Sequence, residues 1–306
     1  VSNLPLPTGY LFEDDYMSYE LDFGHPESPE RLVAIKAKMA ETGLDKRVQR
    51  LSPHPEVAPH IQKIHTEGHI QSIQGIKTIG RVAELAVGGA LAAVKAVCEG
   101  AARNAFCALR PPGHHALNTG REEGFCFYNN VAIAARYAQD EFKRAKVLIV
   151  DWDFHHGNGT ESAFYRDPTV LYFSTHDVFA YPGTGFPERE GEGAGWGCNI
   201  NVHMPPGSGD RDFVKVFNDV LVPRANEFKP DFVLISAGFD GHSGDKLGCF
   251  DISDDGFAHL TRLAMDIAHA HCGDRTVSVL EGGYTPEDLA SAVCAHIKTL
   301  LEYGSK

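Results

Sequence analysis

The chain alternates short apolar runs with longer segments of helical periodicity. Val147–Val150 is a continuous apolar run of strand length, the mark of a buried strand. Asn104–Leu109, Thr169–Ser174, Cys198–Val202, the apolar start of Asp231–Asp240 and the start of Thr276–Tyr284 read the same way. Between them lie helical segments. Ser28-Pro29 opens one whose apolar face is Leu32, Ile35 and Met39, with proline at the first helical position and Gly43 as its stop. Residues 60–79 read as helical. Residues 82–99 form a buried helix in which Gly88-Gly89 marks close packing and Gly100 the end. An asparagine caps the helix Val131–Arg144. Asp210 caps a long helix toward Lys229 that Pro223 kinks, and Ser253 caps residues 253–271. Thr285-Pro286-Glu287-Asp288 opens the last helix with a capping-box-like start. Residues 1–27 look irregular. With no repeat or linker to split it, the pattern predicts one α/β domain over residues 1–306, a mostly parallel sheet covered on both faces.

The polar groups cluster where such strands end, which is where a ligand crevice lies in these sheets. After Val150 come Asp151, Asp153 and His155, at every second position, so an extended chain points all three one way. Two buried carboxylates that close repel, and a cation resolves the conflict. Gly157 and Gly159 then permit a tight turn into a helix. His114 and His115 follow a second strand, Asp240 a third, and Tyr284, expected to be exposed beside Gly282-Gly283, a fourth. Each has a bland explanation singly; their joint placement does not. Asp153, His155 and Asp240 offer two carboxylates and an imidazole, three ligands with a position left for water. A bound Zn²⁺ would bring that water's pKa to roughly 7. His114 and His115 supply a general base and acid, and the Tyr284 hydroxyl can donate to a developing oxyanion. The chemistry is amide or ester hydrolysis. Residues 179–197, too long for a plain connector, are a candidate pocket wall. His25 and Arg31 read as a cap and a structural ion pair, and Cys126 as a packed thiol.

Composition narrows the setting. A formal net charge of -13 argues against nucleic acid as a direct partner. The seven cysteines form no C-x-x-C pair, so reduced thiols and a cytoplasmic, reducing compartment are expected, with the question of a removed leader before Val1 left open. No apolar run approaches the ~20 residues that span a bilayer, so no membrane association is expected. No G-x-S-x-G elbow supports a serine hydrolase, and the motifs lack the further bridging ligands of a binuclear manganese centre.

HPESPERL, RPPGHHA, EGFCFYNN, VDWDFHHGNGT, SAGFDGHSGD and LEGGY, in that order, resemble the zinc-dependent histone deacetylase superfamily in its class II-like branch, from about His25 to about Leu301. The resemblance implies the arginase/deacetylase fold, a single domain with a central parallel sheet of about eight strands. It implies Asp153, His155 and Asp240 as zinc ligands, a set that suits Fe²⁺ as well. It makes His115 the general base and acid, with His114 its electrostatic partner bonded to Asp151. Tyr284 becomes the residue that polarises the scissile carbonyl. Gly124 and Phe125 match the acyl-lysine tunnel, with Gly124 accepting a hydrogen bond from the substrate amide, and Tyr181 the opposite wall. A structural K⁺ is implied at Asp151, Asp153, His155, Ser174 and the backbone of Thr175.

Three positions depart from parts of that family. Asn158 stands where class I members have aspartate; a neutral partner stabilises the His115 imidazolium less. The segment between His69 and Gly88 is shorter than in most relatives and lacks a clear acidic rim residue, so a more open mouth, tolerant of bulkier acyl groups, is expected. Leu247 replaces the glutamate of polyamine-specific members, which favours acyl-lysine in a protein or peptide over a small acylated amine. The rival readings are an N-acetylpolyamine amidohydrolase and, from another class, a non-catalytic acyl-lysine-binding scaffold.

Overall fold

Eight strands, all parallel, form one sheet in a computed structural model that describes residues 6–304. They are β1 (Thr8–Leu11), β2 (Gln49–Leu51), β3 (Asn104–Cys107), β4 (Val147–Asp151), β5 (Val170–His176), β6 (Asn199–His203), β7 (Phe232–Ala237) and β8 (Thr276–Leu280), in the spatial order β2-β1-β3-β8-β7-β4-β5-β6. The domain is thus the single α/β unit expected. The start assigned to residues 1–5 lies outside the described residues. Within residues 6–27 the expected irregular chain is instead a buried strand and a short helical turn at Asp14–Met17. β2 likewise escaped the sequence reading: three residues at the sheet edge, Gln49 and Arg50 exposed, carry no periodicity.

The strands are continuous apolar runs because helices cover both faces. β4, β5, β7 and β8 are buried at every position. The helix Lys77–Cys98 packs tightly at its paired glycines, where a Cβ on Gly88 would meet the His54 carbonyl at 2.7 Å and one on Gly89 the Leu11 side chain at 2.6 Å. Gly43 ends Glu30–Thr42 in the left-handed region, and Ser253 caps Asp254–Cys272 by accepting from the Gly256 N–H at 3.1 Å. The stretch 60–79 is not one helix but parts of three, Ala58–Ile61, Glu67–Gln74 and the start of Lys77–Cys98.

Other helix starts differ in detail. Asp210 does not cap its own helix; its carboxylate accepts from the backbone and hydroxyl of Ser253, tying two helices together. That helix runs Asp210–Val216, widens into a π-turn at Phe217–Leu221, and resumes at Val222–Phe228, so the irregularity precedes Pro223. Proline demands this, because it offers no N–H to the preceding turn. The Thr285 hydroxyl donates to the Gly244 carbonyl instead of capping Pro286–Glu302. Among the described residues no helix is long and apolar enough to cross a membrane.

Two buried histidines hold helices to the body of the protein. His296 sits between Thr261 Oγ1 (2.7 Å) and Ser278 Oγ (2.9 Å), and His65 Nε2 accepts from the Asn129 N–H at 2.9 Å. Burial pushes each imidazole from 6.5 down to about 3. Such groups bind protons better unfolded than folded, so their stabilisation is complete above about pH 6.5 and lost as pH falls toward about 3. Each should cost on the order of 2 kcal/mol by about pH 5. We expect the melting temperature, measured with chelator throughout, to be several degrees lower at about pH 5 than at about pH 7; an unchanged value would contradict this account.

Candidate active site

Four neighbouring strands, β3-β8-β7-β4, deliver the site from their carboxyl ends, although their sequence order is scattered. β3 leads into Arg110–His115, β8 into Glu281–Tyr284, β7 into Gly238–Asp240, and β4 into Asp151–His155. The polar residues singled out at those ends do converge.

Asp153, His155 and Asp240 each present a ligand atom, all within 4.8 Å of one another. His155 Nδ1 lies 2.8 Å from Asp240 Oδ2 and 3.2 Å from Asp153 Oδ1. Both carboxylates are fully buried. Burial and the charge of Asp153 push the Asp240 carboxyl up, while the same carboxylates, against the burial that opposes charge, raise the His155 imidazole. These shifts favour protons on the same atoms that a cation would take. The donor set, two oxygens and an imidazole nitrogen, fits a divalent transition metal. The surrounding backbone leaves the space: a Cβ on Gly282 would fall 2.4 Å from Asp240 Oδ2, and one on Gly238 2.1 Å from Asp153 Oδ2.

The histidine pair lies beside this group. His114 Nδ1 is 3.1 Å from Asp151 Oδ2, and Tyr172 also donates to that oxygen at 2.9 Å. His115 Nδ1 is 2.8 Å from Asn158 Oδ1. The two rings are 4.1 Å apart but opposite in character. Against burial, Asp153 and Asp151 hold His114 well above the usual histidine range. Burial, then the charges of His114 and His155, holds His115 well below it. Paired groups driven apart in this way divide into an acid and a base.

Tyr284 is not exposed as expected but buried, at 6% of its free surface. Gly283 (φ +118°) turns it inward, and its ring lies edge-on to Phe125 at 5.9 Å. Opposite, Tyr181 stands edge-on to His115 at 5.1 Å and to His155 at 6.5 Å. A Cβ on Gly124 would come within 2.4 Å of the His115 ring and 2.7 Å of Tyr181, so this glycine leaves a slot between them. Its carbonyl accepts from the buried Cys126 thiol at 3.4 Å. Of residues 179–197, then, Tyr181 reaches the centre. Leu247 lies at the turn beside Tyr284, 41% exposed. Ser174 pairs in register with Asp151, its hydroxyl 2.7 Å from His176 Nδ1, and the buried Thr175 hydroxyl has no partner. Residues 69–88 lie in two successive helices, Glu67–Gln74 and Lys77–Cys98, broken only at Gly75 and Ile76.

Several supporting residues escaped the sequence reading. Buried Glu27 takes Arg31 Nη1 at 3.1 Å, Arg110, and the Tyr19 hydroxyl at 2.9 Å; an ion pair at Arg31 was expected, but neither Glu27 as its partner nor the second arginine was. Arg31 Nε donates to the Gly283 carbonyl at 2.6 Å, and its guanidinium lies 5.1 Å from the Tyr284 ring. His25 caps no helix: its Nδ1 accepts from the Glu27 N–H at 3.0 Å and its ring packs on Phe125 at 4.5 Å. Glu281 Oε2 accepts from the N–H groups of Gly113 (2.7 Å) and His114 (3.2 Å). The signal available was the motif itself, HPESPERL and LEGGY, whose glutamates Glu27 and Glu281 had no assigned task.

The family profile of the histone deacetylase domain matches residues 25–300. The chain belongs to the histone deacetylase family. It is 38% identical to a probable deacetylase of Archaeoglobus fulgidus, over 92% of this chain and 82% of that protein. It is 37% identical to histone deacetylase 15 of Arabidopsis thaliana (90% and 53%) and 35% identical to the human polyamine deacetylase HDAC10 (96% and 48%). It spans about half the length of those two relatives. The crystal structure of the HDA15 HD domain superposes with a TM-score of 0.92 at 35% identity, covering 98% of this chain and 90% of that one. A deacetylase hydrolase of a zinc-dependent family, with a buried Asp-His-Asp group able to hold a metal, is the coarse identity.

The crowding at the metal group gives a direct test. Gly282→Ala drives a methyl into the two carboxylates and should lower bound metal and deacetylase activity by roughly 100-fold or more, with far-ultraviolet circular dichroism unchanged. Normal metal content and activity in that variant would refute the geometry.

Proposed function

We propose that this deacetylase hydrolyses the acyl amide of N6-acyl-lysine in proteins or peptides. The observation that carries the choice of substrate is Leu247, an apolar side chain at the turn next to Tyr284, where a carboxylate would be needed to greet the second ammonium of a polyamine. A divalent ion held by Asp153, His155 and Asp240, Zn²⁺ or Fe²⁺, supplies Lewis-acid charge and an acidified water when bound.

The remaining work falls to the chain. His115 donates Nδ1–H to Asn158, which leaves the Nε2 lone pair free, and its depressed basicity keeps the ring neutral until the reaction offers a proton. It accepts that proton from the attacking water and returns it to the departing lysine amine. His114 donates Nδ1–H to Asp151 and stays charged, holding positive potential where oxyanion charge develops. The Tyr284 hydroxyl donates to the carbonyl oxygen as the carbon becomes tetrahedral. Gly124, Phe125 and Tyr181 bound the slot for the acyl-lysine stem, the Gly124 carbonyl exchanging the Cys126 thiol for the substrate N–H. A structural K⁺ at Asp151, Asp153, His155, Ser174 and the Thr175 backbone belongs to the same proposal, supported by the orphaned Thr175 hydroxyl. A cytoplasmic, reducing setting is supported by seven cysteines that are all free.

The test compares kcat/KM on an acetyl-lysine peptide with that on N-acetylputrescine, with and without chelator. We expect chelator-sensitive turnover that favours the peptide, and Leu247→Glu to move the ratio roughly tenfold toward the polyamine, about the value of one partly desolvated charge pair. Wild-type preference for N-acetylputrescine would replace the acyl-lysine reading with the polyamine one, and binding of acyl-lysine without turnover would favour the scaffold.

A further inference from the structure

We propose that Asp245 is a positioning residue for Tyr284, one carboxylate that locks the catalytic tyrosine and the substrate-facing turn into a single unit. Its Oδ2 accepts the N–H groups of Tyr284 at 2.6 Å and Thr285 at 3.2 Å. Its Oδ1 accepts those of Leu247 at 2.9 Å and Gly248 at 3.2 Å. Four backbone donors, from the loop after β7 and the loop after β8, thus end on one side chain. Hydrogen bonds to an ionised acceptor are about twice as strong as neutral ones, and two on each oxygen fix position as well as distance.

The arrangement answers a need specific to this corner. Gly282 and Gly283 precede Tyr284, and Gly283 sits at φ +118°, so the backbone that delivers the hydroxyl has little intrinsic preference for one conformation. Arg31 grips the Gly283 carbonyl from one side, at 2.6 Å. Asp245 grips the next peptide N–H from the other. Between them the carbonyl of residue 283 and the amide of residue 284 are both held, which fixes the peptide plane and with it the direction of the Tyr284 side chain. The second pair of donors makes the same carboxylate answer for Leu247, so substrate contact at the mouth and the oxyanion donor within are set by one group. Asp245 touches neither substrate nor reacting atoms; it acts through Tyr284.

The proposal rests on Tyr284 as the carbonyl-polarising residue, and a double-mutant cycle separates the two claims. Asp245→Ala, Asp245→Asn, Tyr284→Phe and the two double variants are assayed as metal-loaded full chains on the acetyl-lysine peptide, with melting temperature and metal content recorded. Asp245→Ala should lower kcat by about 10- to 100-fold, the cost of misplacing a catalytic group by about 1 Å, with metal content unchanged. Asp245→Asn, which keeps one acceptor oxygen, should lie between it and the wild type. In the Tyr284→Phe background, either Asp245 substitution should change kcat less than about twofold, because the group it positions is gone. A loss of equal size in both backgrounds would overturn the proposal, as would wild-type kcat in Asp245→Ala. Should Asp245→Ala fail to fold, the Asn variant carries the same cycle. A Tyr284→Phe enzyme as fast as wild type would instead remove the role of Tyr284 itself.

Discussion

Four carboxylates, Asp151, Asp153, Asp240 and Glu281, lie wholly buried at the ends of adjacent strands, and the rest of the centre is arranged to make that tolerable. Three of them are bound to backbone of a neighbouring segment, and Asp151 to side chains of two others. Asp153 Oδ2 accepts the Gly282 N–H at 2.8 Å, Asp240 Oδ1 that of Phe154 at 2.8 Å, and Glu281 those of Gly113 and His114. Asp151 takes the Asp153 N–H at 3.2 Å, the Tyr172 hydroxyl and His114. The acids that could bind a metal and orient the histidines are therefore also the rivets between loops. An unpaired buried charge costs several kcal/mol, so each loop is held where its neighbour's carboxylate requires.

The same reasoning ranks the ion pairs. Lys36–Asp14 and Lys215–Asp219 are half-exposed and worth at most about 1 kcal/mol each. The pairs that Glu27 makes with Arg31 and Arg110 are wholly buried, and removing one partner would cost about 3–5 kcal/mol. That cluster is coupled to the centre because Arg31 goes on to the Gly283 carbonyl. The first helix of the chain thus supports the last active-site turn, some 250 residues away.

What the sequence made legible was whatever concentrates in a short run. The apolar strands with their terminal Asp151, Asp153, His155, Asp240 and His114-His115 stood out because strand, turn and polar group are contiguous. What escaped depends on distant partners. β1 and β2 are short and owe their strand form to pairing. Asp210 looked like a cap and proved to be a link between helices, since an aspartate at a helix start reads the same in either role. Tyr284 was read as exposed on a glycine turn that lets it swing in; contacts with Arg31 and Phe125, both distant in sequence, keep it folded inward. Glycines 157 and 159 were read as conformational, but Gly157 adopts an ordinary φ of -74° and is needed for room, a Cβ there falling 2.4 Å from Asp151 Oδ2.

Rigidity is unevenly spread across this site, and that bears on how its substrate is chosen. Inside, every polar side chain of the metal group and the histidine pair is fixed by at least one hydrogen-bond partner, so a substitution there disturbs several others and mostly destroys the site. Toward the surface, Leu247 is substantially exposed. Its backbone is anchored, the Leu247 N–H on Asp245, while no hydrogen bond or ring contact holds its side chain. Exchanging such a side chain alters what the entrance attracts and leaves the interior intact. Hydrolytic chemistry and substrate preference can therefore vary separately in such an arrangement, in keeping with one chain being 37% identical to a protein named for histones and 35% to one named for polyamines.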